Sequence, residues 1–92
     1  MNGKTLPDFI DELYCNPEME IEYHGTRYSV SGYLDESKEF VLRVDSIENQ
    51  SSEVFSIKRK IARECVEAFE EAPIFDGKTI YEAESEITVL YG

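Results

Sequence analysis

Apolar positions along the chain change period several times, and each change marks the edge of an element. Leu6, Phe9, Ile10, Leu13 and Tyr14 recur at i, i+3, i+4, i+7 and i+8. That is one stripe of a short amphipathic helix. Thr5 is its expected N-cap, with Pro7 and Asp8 in the first turn, residue types that helix starts favour. Asn16-Pro17 ends it. From Glu18 to Tyr23 the period drops to two. Glu18, Glu20 and Glu22 point one way and Met19, Ile21 and Tyr23 the other, the pattern of a half-buried strand. His24-Gly25 predicts a two-residue turn in which Gly25 supplies a positive φ, and Thr26 to Leu34 returns as a second strand. Tyr28, Val30 and Leu34 are expected on its core face, with Gly32 between them as a bulge position. Asp35 to Lys38 is a polar turn before a third strand on Phe40, Leu42 and Val44.

Glu48 to Ser52 is polar and is expected to be the most mobile loop. Val54, Phe55 and Ile57 predict a fourth strand. From Lys58 to Ala72 the period is helical, placing Ile61, Cys65, Ala68, Phe69 and Ala72 on one face. Pro73 stops the helix because it cannot continue the hydrogen-bond ladder. Asp76-Gly77 reads as a turn. Thr79 and Glu82 then have the spacing of a capping box at the start of a short helix. Ile87, Val89 and Tyr91 alternate as a closing strand. Helices and strands are segregated, not interleaved, which predicts an α+β fold. The expected sheet is mostly antiparallel with four to five strands, a β-meander plus the C-terminal strand, and carries its helices on one face. Ninety-two residues suit a single domain over 1–92 with one modest core.

Charge adds the most to this picture. Twenty Asp and Glu face nine Lys and Arg, a net charge of −11. An apolar content of 41%, with six Tyr and five Phe, separates the chain from disordered acidic tails. The imbalance excludes nucleic acid and anionic membranes as partners, because phosphates would be repelled. It suits a basic protein partner. Residues 1–24 hold six acids and one base, residues 25–63 six acids and seven bases, and residues 64–92 eight acids and one base. The two ends of the chain therefore carry the excess. The neutral middle ends in a basic cluster, Lys58, Arg59, Lys60 and Arg63, which is expected to open the main helix, with Glu64, Glu67, Glu70 and Glu71 closing it. That order opposes the helix macrodipole, which favours acids first and bases last. Pairs at i, i+4 such as Arg63–Glu67 would soften the cost.

Chemistry-bearing motifs are scarce. Ala72 to Thr79 approaches a phosphate-binding loop, but Ala72 replaces its first glycine, Pro73 has no amide to offer, and Ile74 and Phe75 crowd the backbone. His24, the one histidine, sits in a turn without an evident nucleophile or orienting partner. No Cys-x-x-Cys, His pair or EF-hand loop implies a metal. No carboxylate stands inside an apolar run that would raise its pKa. These readings predict no enzyme, no cofactor, no metal and no catalytic residue. Cys15 and Cys65 are expected as buried free thiols on the apolar sides of their helices, as in a reducing cytoplasm, with a disulfide between the two helices as the alternative. The start of the chain lacks the apolar stretch of a secretion signal, and no run approaches the ~20 residues of a membrane span, so a cytoplasmic location is expected.

What remains is a set of candidate interaction residues. Glu18, Glu20 and Glu22 would repeat at about 6.7 Å along a strand face, near the spacing of phosphates on a nucleic-acid strand. Glu64, Glu67 and Glu71 on the main helix are expected to extend that surface. Cys65 to Thr79, with its Ala-Pro-Ile-Phe-Asp-Gly-Lys core, is similar to a group of small acidic proteins of Gram-positive bacteria and their mobile elements. The resemblance implies an N-terminal helix, a β-meander and a bacterial, cytoplasmic, phage- or plasmid-linked setting. Small acidic proteins in that setting include anti-CRISPR, antirestriction and immunity proteins. No activity or site residue comes with the resemblance. The resulting expectation is a non-enzymatic interaction module that inhibits a basic nucleic-acid-binding protein. The alternative is a housekeeping or self-associating domain, a homodimer among its forms, whose acidity serves solubility only.

Overall fold

The computed structural model describes residues 1–15, 17–48 and 52–91. Asn16, named above as a helix end, and residues 49–51 of the expected mobile loop lie outside them. The elements are α1 (Leu6–Cys15), β1 (Met19–Tyr23), β2 (Thr26–Leu34), β3 (Phe40–Ser46), β4 (Ser52–Arg59), α2 (Ala62–Glu71), α3 (Ile80–Ala83), a 3₁₀ turn at Glu84–Glu86 and β5 (Ile87–Tyr91). The strands form one antiparallel sheet in the order β4-β3-β2-β1-β5. The fold is α+β, as the segregation of helices and strands predicts.

One face of this sheet is apolar and the helices cover it. Met19, Ile21 and Tyr23 of β1 are buried with Val30, Leu42, Val44 and Ile87 from the other strands. α1 contributes Leu6, Phe9 and Leu13, and α2 contributes Cys65, Val66 and Phe69. Phe69 is the hinge between layers: its ring lies 6.2 Å from Phe9 and 6.1 Å from Phe55. Phe75, Ile80 and Ala83 close the core at the α3 end. The other face is largely polar and carries no helix, the usual economy of an antiparallel sheet; Val41 and Tyr33 are its apolar members toward β4. Register places Glu20 beside Ser29, Ser29 beside Asp45, Glu22 beside Arg27, and Ser31 beside Arg43 across that face.

Local signals act as their chemistry requires. The Thr5 hydroxyl accepts from the Asp8 amide at 3.3 Å and starts α1. Thr79 accepts from the Glu82 amide while the Glu82 carboxylate accepts from the Thr79 amide, a complete capping box. His24 and Gly25 both have positive φ, 49° and 80°, the requirement of a type I′ hairpin. Asp76 and Gly77 repeat it at 55° and 79° between the bridged residues Phe75 and Lys78.

Five expectations are corrected. α2 begins at Ala62, so Lys58 and Arg59 belong to β4 and Lys60 to the bend that follows. The strand's period of two runs on through Arg59, and of the basic cluster only Arg63 therefore opens the helix. Ile61 is the N-cap and is largely exposed, and Val66 takes the buried place. Leu34, at the end of the β2–β3 hairpin, is 67% exposed instead of facing the core. Gly32 is no bulge, because its pairing with Leu42 continues the regular β2–β3 register. Cys15 is exposed while Cys65 is buried, and both thiols are free.

Gly32 is required by space, not by conformation. A Cβ there would stand 2.6 Å from Pro17 Cγ and 3.0 Å from Phe40 Cζ. The Pro17 ring cannot rotate away. Gly32→Ala is expected to lower stability by about 1–3 kcal/mol, the usual cost of overpacking. Urea denaturation measures this as a lower midpoint at unchanged slope, and an unchanged midpoint would contradict it.

Candidate functional site: an acidic helical face

Helices α1, α2, α3 and the 3₁₀ turn together hold ten carboxylates and one base, Arg63, a net of −9. The five strands hold four carboxylates, Glu20, Glu22, Asp45 and Glu53, and four bases, Arg27, Arg43, Lys58 and Arg59, a net of zero. The excess noted at the two ends of the chain is thus an excess of one layer. The covered face of the sheet admits no charge: among the described residues no charged side chain is buried. The helices must turn every polar residue outward.

The candidate residues separate accordingly. Glu20 and Glu22 lie on the bare face of β1, an interior strand, and Glu18 is exposed just before it. The row is not a free line of charge. Arg27 sits opposite Glu22 and places Nη1 3.4 Å from Glu20 Oε1. Glu64, Glu67 and Glu71 are exposed on α2, across the sheet from that row. The two groups form two separate surfaces, so the expected continuous one does not exist.

On α2, Glu64, Glu67 and Glu71 follow each other at i, i+3 and i+7 along one face. With Glu70, Tyr81 and Arg59 they line an open hollow of about 930 Å³. Among the described residues no α2 carboxylate lies in an ion pair, and the softening Arg63–Glu67 pair is not formed. Two tyrosines flank this strip. The Tyr81 hydroxyl donates to Glu70 Oε2, and this bond pushes its pKa up to about 12. Tyr14 is raised chiefly by desolvation and next by the Glu70 and Glu67 charges. Carboxylates between exposed phenol rings suit a guanidinium or ammonium group, which gains Coulombic and cation–π attraction together.

A second cluster lies at the far end of the sheet. His24 Nε2 is 2.6 Å from Glu86 Oε1, its Nδ1 is 3.7 Å from Asp76 Oδ2, and Lys78 Nζ is 3.6 Å from Glu86 Oε2. The hydrogen bond from His24 leads the causes that hold Glu86 below the usual carboxylate range. Glu86 is 62 residues from His24, so no local pattern in the sequence announces the pair. The cluster ties the β1–β2 turn to the segment after α2. Among the described residues it has no nucleophile at hydrogen-bond range, and His24 lines neither the α2 hollow nor the two smaller ones beside Glu18–Glu20 and beside α1. Among the described residues, no three His, Cys, Asp or Glu groups stand close enough to share a metal ion. No helix among them is long and apolar enough to cross a membrane.

Two outcomes follow from this geometry. Tyr81 is stabilising where its phenol is protonated and bonded to Glu70; that contribution is complete below pH 10 and is lost as pH rises through about 12. Glu70→Gln is expected to bring one of the six phenol titrations down toward 10, followed by phenolate absorbance; an unchanged profile would exclude the bond. Tyr23 is 2% exposed, stacks on His24 with ring centroids 4.0 Å apart, and its hydroxyl has no partner. Because an unmade buried hydrogen bond costs about 1–3 kcal/mol, Tyr23→Phe is expected to leave stability equal or raise it by about 1 kcal/mol. A clear loss in denaturant midpoint would show that the hydroxyl is bonded.

Compared with protein-family models, with curated proteins and with solved structures, the chain gives no match.

Proposed function

We propose that the protein is a non-enzymatic interaction module that offers its acidic helical face to a basic protein. The observation that carries this reading is the charge division between layers, −9 on the helices and zero on the strands. An acidity that served solubility alone would have no need to be confined to one side. The α2 strip supplies the recognition elements, three carboxylates in no ion pair among the described residues, along one helix face beside Tyr14 and Tyr81. Glu18, Glu20 and Glu22 form a weaker, Arg27-compensated surface on the opposite side. The resemblance of residues 65–79 to small acidic proteins of Gram-positive bacteria and their mobile elements favours a cytoplasmic setting. In that setting the basic partner is a nucleic-acid-binding protein and the module its inhibitor. Association would be steered by charge, fast at low ionic strength and slower as salt screens it.

The test uses a defined probe, a 20-residue arginine-rich peptide, titrated calorimetrically at 50 and 300 mM salt. Binding is expected to weaken about tenfold or more over that range. The triple variant Glu64→Gln, Glu67→Gln, Glu71→Gln should lose about tenfold at low salt, each exposed carboxylate contributing a few tenths to 1 kcal/mol. The triple variant Glu18→Gln, Glu20→Gln, Glu22→Gln should lose far less. Equal losses for the two triples, or no salt dependence, would overturn the assignment of the helical face.

A further inference from the structure

The two edges of the sheet are treated differently. Asn2 runs alongside β5, its amide donating to the Ile87 carbonyl at 2.9 Å and its carbonyl accepting from the Val89 amide at 2.8 Å. That edge is covered. β4 is the other edge, eight residues long, and no described segment pairs with its outer side. An edge strand points the N–H and C=O groups of alternate residues into open space, where they can template another strand.

The β4 side chains are arranged symmetrically about Ser56. Register against β3 fixes the rungs: Ser56 stands on the Arg43 rung, Phe55 and Ile57 one rung to either side on Val44 and Leu42, and Glu53 and Lys58 two rungs to either side on Asp45 and Val41. The sequence alone hides this symmetry, since Glu53 is three residues from Ser56 and Lys58 only two. The bulge at Val54 absorbs the extra residue. Glu53 and Lys58 both belong to the bare face of the sheet, and Phe55 and Ile57 to the helix-covered face.

We infer that β4 pairs with β4 of a second copy of this chain, antiparallel and with the two-fold axis at Ser56, to make a continuous ten-stranded sheet. In that register Glu53 faces Lys58 of the partner subunit and Phe55 faces Ile57 of the partner subunit, each pair occurring twice. Every opposed position is complementary in charge or polarity. A one-rung slip sets the apolar face of one strand against the polar face of the other. A bulge and a lysine on an edge ordinarily discourage indiscriminate pairing. Within the chain Lys58 is already held by Asp35 and Glu53 lies 3.7 Å from Arg43, but both side chains stay about half exposed, 50% and 49%, so each can take a second opposite charge from an incoming strand, and only this register supplies it at both ends. Exposed Val54, 43% accessible, and Ile61 just beyond the strand add apolar area at the rim. This contact is independent of the acidic helical face.

Sedimentation velocity of the full chain over 5–500 µM tests the mass, and a charge exchange tests the register. Glu53→Lys and Lys58→Glu each set like charges opposite one another twice per dimer and are expected to raise the dimer dissociation constant about tenfold; the double variant should restore it. A symmetric cross-link supplies the second reading. Opposed antiparallel Cα atoms lie about 4.5–5.5 Å apart, within disulfide reach. In a Cys15→Ser background, Ser56→Cys is therefore expected to oxidise to a covalent dimer, while Ser29→Cys, on the same face of an interior strand, should not. A monomer mass throughout, a double variant no tighter than the single ones, or cross-linking no faster at 56 than at 29 would each overturn the proposal. Circular dichroism on every variant separates a failed fold from a failed contact.

Discussion

Met19, Ile21 and Tyr23 alternate with Glu20 and Glu22 in the middle of the sheet, and the rest of the molecule is arranged around that alternation. A slip of one residue in β1 would bury two glutamates and expose three large apolar side chains, so the register is fixed by the cost of that exchange. β1 lies between β2 and β5, and its apolar face sets which face of the whole sheet the helices must cover. α1 and α2 meet over that face through Phe9, Phe69 and Phe55. A chain of 92 residues can fill one such interior and no second. The opposite face is left mainly to serines, threonines and matched charges, with Val41, Tyr33 and Tyr91 among them.

That packing dictates where charge can stand, though not its sign. A helix lying on an apolar sheet buries one stripe and turns the remainder outward. α2 uses Cys65, Val66 and Phe69 for the stripe and gives the remainder largely to glutamate. The strands expose only every second side chain, and on the bare face these come as opposed or neighbouring pairs such as Glu20–Arg27 and Arg43–Asp45. The reassignment of Lys58 and Arg59 from helix to strand completes this division. It also removes most of the basic half of the apparent conflict with the helix dipole, since only Arg63 remains in the first turn of α2, while Glu70 and Glu71 still close the helix.

Most of the fold was legible in the sequence because periodicity and punctuation agreed. The i, i+3, i+4 stripe of α1, the alternation of β1, the two positive-φ turns and the Thr79–Glu82 box each act within a few residues. The β4–α2 boundary was misread because Ile57, Ile61 and Cys65 are four apart and satisfy the helical period, while Val54, Phe55 and Ile57 carry the strand. Leu34 was misplaced because the alternation from Val30 holds but the hairpin end projects past the helices that would cover it. Cys15 sits at the last residue of α1, where the apolar stripe has already turned away from the core. The opposition of the two carboxylate rows could not be read locally, because it depends on which side of the sheet α2 crosses. The symmetry about Ser56 is equally hidden, since it emerges only when residues are counted by rungs of β3.

Self-repulsion among ten helical carboxylates would weaken the compact state unless it were offset. The fold offsets much of it locally. Glu12 has Lys4, Glu70 has the Tyr81 hydroxyl, Glu82 has the Thr79 amide, and Glu86 has His24 and Lys78. Asp8 sits in the first turn of α1, where the helix dipole favours it. Among the described residues Glu67 and Glu71 receive no such help and Glu64 only that of the first turn of α2, although Arg63 is on the same helix and near in sequence. Their repulsion is left standing on one exposed strip while less prominent carboxylates elsewhere are matched. A cost retained at one place and relieved at others is the pattern expected where an external cation completes the balance. That contrast, more than the total of −11, is the physical reason to look for the partner on α2.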